Sequence, residues 1–191
     1  MMHAMGHKIL EKFSRMKVVY ITSEKFTNEM INAIRDGTTE AFRAKYRSVD
    51  VLMVEDIQFL SNKVSTQEEF FHTFYSLHQA NIHIIISSDR PPKEIASLEE
   101  RLRSRFEGGL TVDIQPPDFE TRVAILANLA EQAGVNAGFE VFEYIAKNFV
   151  NNVRELEGAF NKVSAYADIE KTDITLEFTK KVLNCEQIRE E

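Results

Sequence analysis

The sequence predicts an α/β domain with a mainly parallel sheet, followed by a small all-helical subdomain. In the first part of the chain, short apolar segments of strand length alternate with segments of helical periodicity. Because parallel strands need crossover connections, this alternation indicates a sheet with helices on both faces. Beyond the Gln-Pro-Pro-Asp turn at residues 115–118, only helical periodicity follows. We therefore predict two domains, residues 1–116 and residues 117–191.

Each element is predicted from the spacing of its apolar residues and from the residues at its ends. Met5, Ile9 and Phe13 recur at every fourth position, which predicts a first helix. Ser23 is the predicted cap of the second helix, and Ser65 opens a capping box before a later one. The predicted strands are residues 17–21, the run before residue 55, residues 82–87 and residues 110–114; the predicted helices are residues 2–14, 23–36, 40–46, 65–79, 93–105, 119–133, 140–149, 152–168 and 175–184.

The second predicted strand carries the most informative feature of the chain. It is a continuous apolar run, Val-Leu-Met-Val, that ends in the adjacent carboxylates Glu55 and Asp56. Acids at the carboxyl end of a parallel strand lie where open α/β sheets bind their ligands. The pattern is typical of a Walker B strand, which places one carboxylate near a nucleotide-bound Mg²⁺ and another near the attacking water. A solvated turn residue or the N-cap of the next helix is the other interpretation.

Three arginines are candidates for contact with phosphate. Arg101 and Arg105 lie four residues apart, on one face of a predicted helix end, where a solvated basic face would also suit the helix dipole. The alternative is an arginine finger that reaches the nucleotide of a neighbouring subunit. Arg154 lies at the start of a predicted helix. It could form a surface salt bridge with Glu155 or Glu157, or it could fold over a bound nucleotide.

Composition excludes several classes of protein. No apolar run approaches the length of about 20 residues that a membrane helix needs. Cys185 is the only cysteine, so intrachain disulfides and cysteine-based zinc clusters are excluded, and a reducing cytoplasm is the predicted compartment. We expect Cys185 to lie half-buried in a C-terminal helix. The net charge of −7 argues against broad electrostatic binding of nucleic acid. His3 and His7 lack a third ligand at metal-binding spacing.

The motifs and their order closely resemble the ATPase domain of the bacterial chromosomal replication initiators, the DnaA family of AAA+ proteins. The resemblance covers essentially the whole chain and is carried by residues 18–26, 56–59, 68–74, 88–95, 101–110 and 152–158. It implies a parallel sheet of the AAA+ P-loop NTPase type followed by a helical lid subdomain. It also implies ATP or ADP with Mg²⁺ as the cofactor of an intact protein, in which Glu55 approaches the metal through the nucleotide.

The same resemblance implies a role for each candidate residue. Glu55 and Asp56 correspond to the Walker B pair, and Asp89 to the sensor 1 position. Arg105 corresponds to the arginine finger, Arg101 to a subunit-contact residue beside it, and Arg154 to the sensor 2 arginine of the lid. Catalytic roles fall on Asp56, Asp89 and Arg105, and nucleotide contacts on Glu55, Asp56, Asp89 and Arg154.

A helix pair after the first strand resembles the initiator-specific insertion that holds single-stranded DNA. Ile31 and Lys63 fall where the family places strand-contacting residues, an apolar group for sugar or base and a cation for phosphate. Two positions depart from the family pattern. Glu55 stands where aspartate is usual, and Ser65 stands where a second basic residue is usual.

The phosphate-binding loop of the family is missing from this sequence. The motif is G-x-x-x-x-G-K-[ST], and it is not formed by any of the seven glycines, Gly6, Gly37, Gly108, Gly109, Gly134, Gly138 and Gly158. In the family this loop directly precedes the residues that match 3–6. We therefore expect a fragment that also lacks the preceding strand and the C-terminal helix-turn-helix domain. Its residues 82–87 and 110–114 would lack their shared neighbour, and the chain would bind nucleotide weakly.

The resemblance implies origin DNA as a partner, bound as single strands through this domain. It further implies self-assembly into a helical oligomer and contacts with the replicative helicase and with regulatory AAA+ proteins. Two alternatives stay open. One is an initiator-related regulatory AAA+ protein that acts on the initiator. The other is a receiver-like module with an acidic pocket at Glu55 and Asp56, which would need a lysine after a later strand and no helical subdomain.

Overall fold

The computed structural model describes residues 1–184, so Cys185 lies outside the described residues. The chain forms two compact units, Met1–Val112 and Asp113–Glu191. The first contains α1 (Met2–Lys12), β1 (Val18–Thr22), α2 (Ser23–Arg35), α3 (Thr39–Arg47), β2 (Val51–Glu55), α4 (Val64–Gln79), β3 (His83–Ile86) and α5 (Glu100–Glu107), with 3₁₀ turns at Ile57–Leu60 and Pro92–Glu94. The second contains α6 (Phe119–Ala133), α7 (Phe139–Asn148), α8 (Val153–Glu170) and α9 (Leu176–Asn184).

The sheet of the first unit is parallel, in the order β1-β2-β3. β2 is the central strand, and its first four residues are all buried, as a continuous apolar run predicts. One sheet face packs on α1 through Met2, Val51 and Met53. The other face packs on α2 and α4 through Ile21, Leu52 and Val54, among others. The predicted parallel sheet with helices on both faces is confirmed.

An aromatic cluster forms the centre of the core on the second face. The ring of Phe26 lies 5.1 Å from those of Phe42 and Tyr46, and 5.5 Å from that of Phe70. These residues join α2, α3 and α4 in one layer. Around the cluster, Glu29 accepts hydrogen bonds from Lys45 and Tyr46, which ties α2 to α3. The α2–α3 pair, the predicted insertion, is thus fastened to the rest of the unit.

The predicted fourth strand at residues 110–114 is wrong. This segment pairs with no strand in the described part of the chain, and its apolar side chains are open to solvent, with Leu110 94% exposed. A strand needs a neighbour for its N–H and C=O groups, and propensity alone does not supply one. Residues 82–87 and 110–114 do not pair with each other.

Three helix starts also differ from prediction. Thr22, rather than Ser23, caps α2, since its hydroxyl accepts a hydrogen bond from the Lys25 N–H. The capping box at Ser65 does not form, because α4 already begins at Val64 with Lys63 as its N-cap. The predicted helix over residues 93–105 is split into the 3₁₀ turn Pro92–Glu94 and α5.

The second unit is helical, as predicted. Its core is built from the facing apolar stripes of the four helices, including Leu126, Ile145, Leu156 and Val163. Asp118 caps α6 by accepting a hydrogen bond from the Thr121 N–H, and Asn152 caps α8 in the same way. No helix in residues 1–184 is both long and apolar enough to span a membrane.

Candidate functional site

The carboxyl end of β2 places two acids at the edge of the sheet. Glu55 is the last strand residue, and Asp56 follows it in the left-handed region, with φ 59° and ψ 51°. Aspartate tolerates this conformation better than most residues because its short side chain can hydrogen-bond locally. The turn at Asp56 ends the strand and starts the 3₁₀ segment Ile57–Leu60. The two acids are therefore presented by different backbone conformations.

Hydrogen bonds from three elements hold Asp56. Its N–H donates to Ser87 Oγ at 3.3 Å, just beyond β3, and its carbonyl accepts from Ser23 Oγ at 2.6 Å, in the first turn of α2. Its carboxylate accepts from Gln58 Nε2 at 3.4 Å. Because both the N–H and the carbonyl of Asp56 are hydrogen-bonded, its backbone is held in place at the edge of the sheet.

A side chain of the neighbouring strand β1 forms a hydrogen bond with Glu55. The Tyr20 hydroxyl of β1 donates to Glu55 Oε2. This hydrogen bond, together with partial burial and the nearby negative charges, raises the pKa of Tyr20 to about 12. Tyr20 therefore stays protonated at neutral pH and keeps donating. The centre of the Tyr20 ring lies 4.1 Å from the centre of the His3 ring of α1.

Asp89 lies three residues beyond β3, on an exposed segment. Arg90 binds its carboxylate through both Nε and Nη2, each at 2.9 Å. The hydrogen bond from Arg90 lowers the pKa of Asp89 below its ordinary value, so this acid is ionised at neutral pH. In the described residues, no hydrogen bond joins Asp89 to Glu55 or Asp56. The structure brings all three acids to the ends of neighbouring strands, with Asp89 already paired.

Arg101 and Arg105 lie on the exposed side of α5, against aromatic rings of α4. The Arg101 guanidinium is 4.5 Å from the centre of the Phe71 ring, and its Nε donates to Glu99 at 2.5 Å. The Arg105 guanidinium is 5.9 Å from the centre of the Tyr75 ring. The pair shares one face, as the four-residue spacing predicts.

Three further candidates are Ile31, Lys63 and Arg154. Ile31 is 52% exposed on α2, and Lys63 is half-buried at the start of α4. Arg154, the second residue of α8, is exposed. Its alternative salt bridge with Glu155 or Glu157 is absent from residues 1–184; Glu155 instead accepts hydrogen bonds from Asn151 and Asn152.

Sequence reasoning missed four residues of this region. The sequence predicts Ser23 as a helix cap and Ser87 as the last residue of a strand, with no site role for either. Tyr20 is predicted within a strand and Tyr75 within a helix, also with no site role. Each acts through a contact with a residue more than twenty positions away, which periodicity does not reveal. No cluster of three or more His, Cys, Asp or Glu suited to a metal ion occurs in residues 1–184.

Comparison with known proteins identifies the family. The family model of the bacterial DnaA ATPase domain matches residues 1–113. The chain belongs to the DnaA family. The chromosomal replication initiator protein DnaA of Caldanaerobacter subterraneus subsp. tengcongensis is 56% identical over 183 residues, 96% of this chain. The chain spans 41% of that relative's length.

Solved DnaA structures agree with this assignment. Domain III of the Thermotoga maritima DnaA superposes with a TM-score of 0.92 at 36% identity, over 96% of this chain and 77% of that one. A replication initiator DnaA bound to AMPPCP and single-stranded DNA gives a TM-score of 0.76 at 34% identity, over 89% and 53%. The predicted DnaA resemblance and AAA+ fold class are confirmed, and neither alternative class is favoured.

Proposed function

We propose that this chain is the ATPase core of a replication initiator that binds ATP, assembles on the replication origin and helps to open duplex DNA. The observation that carries the proposal is the acid pair Glu55 and Asp56 at the end of the central strand, in a chain of the DnaA family. We place it in the cytoplasm. The relatives' names point to the initiator itself rather than to a regulator acting on it.

The proposed roles follow from the chemistry of each group. Glu55 offers a carboxylate oxygen, the donor type that Mg²⁺ prefers, although the Tyr20 hydroxyl already occupies Oε2. Asp56, whose backbone is hydrogen-bonded on both sides, orients the attacking water, and Asp89 contacts the nucleotide from the segment after β3. Arg154 contacts the nucleotide from the helical unit. Arg105 reaches the phosphates bound by a second subunit, with Arg101 in the same contact.

We predict that the chain binds ATP weakly. Backbone amides and the lysine of a P-loop supply most phosphate recognition, and the sequence does not contain that motif. Calorimetry with Mg-ATP should give a dissociation constant weaker than about 100 µM. The DnaA that was solved with AMPPCP is the positive control. A low-micromolar constant would show that other residues replace the loop.

The proposed DNA partner is single-stranded origin DNA, bound through Ile31 and Lys63. Helical self-assembly and contacts with the replicative helicase and regulatory AAA+ proteins belong to the same proposal. The exposed Ile31 side chain can pack on a sugar or base, and the Lys63 ammonium can reach a phosphate. Because one protomer offers few cations in a chain of net charge −7, its own affinity should be low.

We therefore predict faint, salt-sensitive binding that favours single strands over duplex. Fluorescence anisotropy with oligonucleotides of equal length should show roughly a five-fold loss of affinity between about 50 mM and about 200 mM salt. Lys63→Ala should remove most of the signal. Lys45→Ala is the matched control, since Lys45 is already paired with Glu29 at 2.6 Å. Tight, salt-insensitive binding to duplex origin repeats would contradict the prediction.

A further inference from the structure

Two neighbouring aromatic rings of α4 each lie under a guanidinium group of α5. Phe71 and Tyr75 lie one turn apart on α4, with ring centres 6.1 Å apart and planes 22° from parallel. Arg101 and Arg105 lie one turn apart on α5, each over one of these rings. We call these four residues the arginine–aromatic ladder. Its spacing matches because both helices repeat their surface positions every four residues.

The inner face of the same helices sets this register. Leu102 of α5 is fully buried, and the ring of Phe106 lies 6.3 Å from Phe70 and 5.8 Å from Phe74. At the start of α5, the Gln67 side chain accepts a hydrogen bond from the Glu99 N–H at 2.7 Å. These contacts fix the position of α5, so that its two arginines lie against the rings of Phe71 and Tyr75 of α4.

The two arginines of the ladder differ in their partners. Arg101 has the closer ring and a carboxylate, Glu99, at 2.5 Å. Arg105 forms no ion pair with any residue in the described part of the chain, and its contact is the Tyr75 ring. A ring attracts a guanidinium without neutralising its charge. Arg105 is therefore oriented while its charge stays available to an external anion.

We propose that Tyr75 is a positioning residue that holds Arg105 ready for the phosphates of a nucleotide bound by a neighbouring initiator subunit. This inference rests on the proposed function of Arg105. A carboxylate partner would compete with phosphate for the guanidinium, whereas a ring restricts its motion at no such cost. Prior orientation raises the rate because less freedom is lost when the reacting groups meet.

The contact itself is tested by NMR on this chain. Arg105 side-chain resonances should be shifted by the ring current of Tyr75, and Tyr75→Leu should return them to ordinary values. Tyr75→Phe keeps the ring and should keep the shift, and Phe71→Leu should move the resonances of Arg101 instead. Tyr75 is itself exposed, so thermal unfolding should be unchanged. Arg105 resonances unaffected by Tyr75→Leu would overturn the inference.

The function is tested by supplying Arg105 to another protein. The acceptor DnaA is the relative solved with AMPPCP and single-stranded DNA, carrying alanine at the position aligned with Arg105. We expect this chain to stimulate ATP hydrolysis by the acceptor, Tyr75→Phe to match the wild type, and Tyr75→Leu to lower the maximal rate roughly three-fold. Stimulation that is unaffected by Tyr75→Leu overturns this inference alone. No stimulation by the wild-type chain overturns the proposed function and the inference with it.

Discussion

Arg105→Ala is expected to abolish the stimulation of ATP hydrolysis in the acceptor DnaA, with a loss of up to about 10³-fold in rate. An arginine finger acts on charge that develops in the transition state, so its removal should affect turnover far more than binding. The guanidinium of Arg105 is exposed and forms no ion pair within residues 1–184, which suits this role. The affinity of the acceptor for nucleotide should stay nearly unchanged, because the residue belongs to the other molecule.

Arg103→Ala is the matched control for this prediction. Arg103 lies on the same helix, but its guanidinium is bound by Glu100 and lies outside the ladder. The Arg103→Ala variant should stimulate ATP hydrolysis by the acceptor as strongly as the wild-type chain does. Equal stimulation by Arg105→Ala and the wild-type chain would contradict the finger assignment. A loss of the chain's own residual nucleotide affinity, with stimulation intact, would assign Arg105 to its own site.

Phe26→Ala is expected to have the largest effect on stability. Phe26 is fully buried and contacts the rings of Phe42, Tyr46 and Phe70. Truncation of such a residue costs about 3–5 kcal/mol, from lost burial and the cavity that remains. The free energy of unfolding of a typical domain is only about 5–15 kcal/mol. Much of the stability of the first unit should therefore be lost.

Urea unfolding monitored by circular dichroism measures this loss. Phe59→Ala is the control, since Phe59 is a phenylalanine of the same unit whose side chain is 52% exposed. It should change the urea midpoint only slightly. Similar midpoints for both variants would mean that the aromatic cluster does not stabilise the unit. Because α2 and α3 meet at Phe26, its loss should also weaken the faint single-strand binding.

Strong local patterns predicted the fold well. The apolar run of β2 and its two terminal acids identified the central strand, because complete burial leaves an unbroken apolar sequence. The helical periodicity of the apolar residues likewise predicted the second unit. The segment at residues 110–114 has a strand-like pattern but lacks a partner in the described residues, and pairing is a tertiary property.

The sequence pattern indicated the acids and arginines of the candidate site, but it did not indicate the residues that form hydrogen bonds or ring contacts with them. Thr22 and Ser23 both carry hydroxyls suited to capping, and the bond from Ser23 to the Asp56 carbonyl distinguishes them. Tyr20 and Glu55 meet only through strand register. The ladder repeats every four residues on α4 and α5, yet the sequence does not tell which helices are neighbours.

The Ser23 hydrogen bond joins α2 to the turn that carries Asp56. The helix is bonded at its first residue to the carbonyl of Asp56, and Ile31 lies eight residues further along the same helix. At about 1.5 Å per residue, the two points are roughly 12 Å apart on one stiff rod. Displacing the first turn of α2 would therefore break this hydrogen bond or move the turn that carries Asp56. One helix and one hydrogen bond therefore connect the proposed strand-contacting residue to the proposed water-orienting acid.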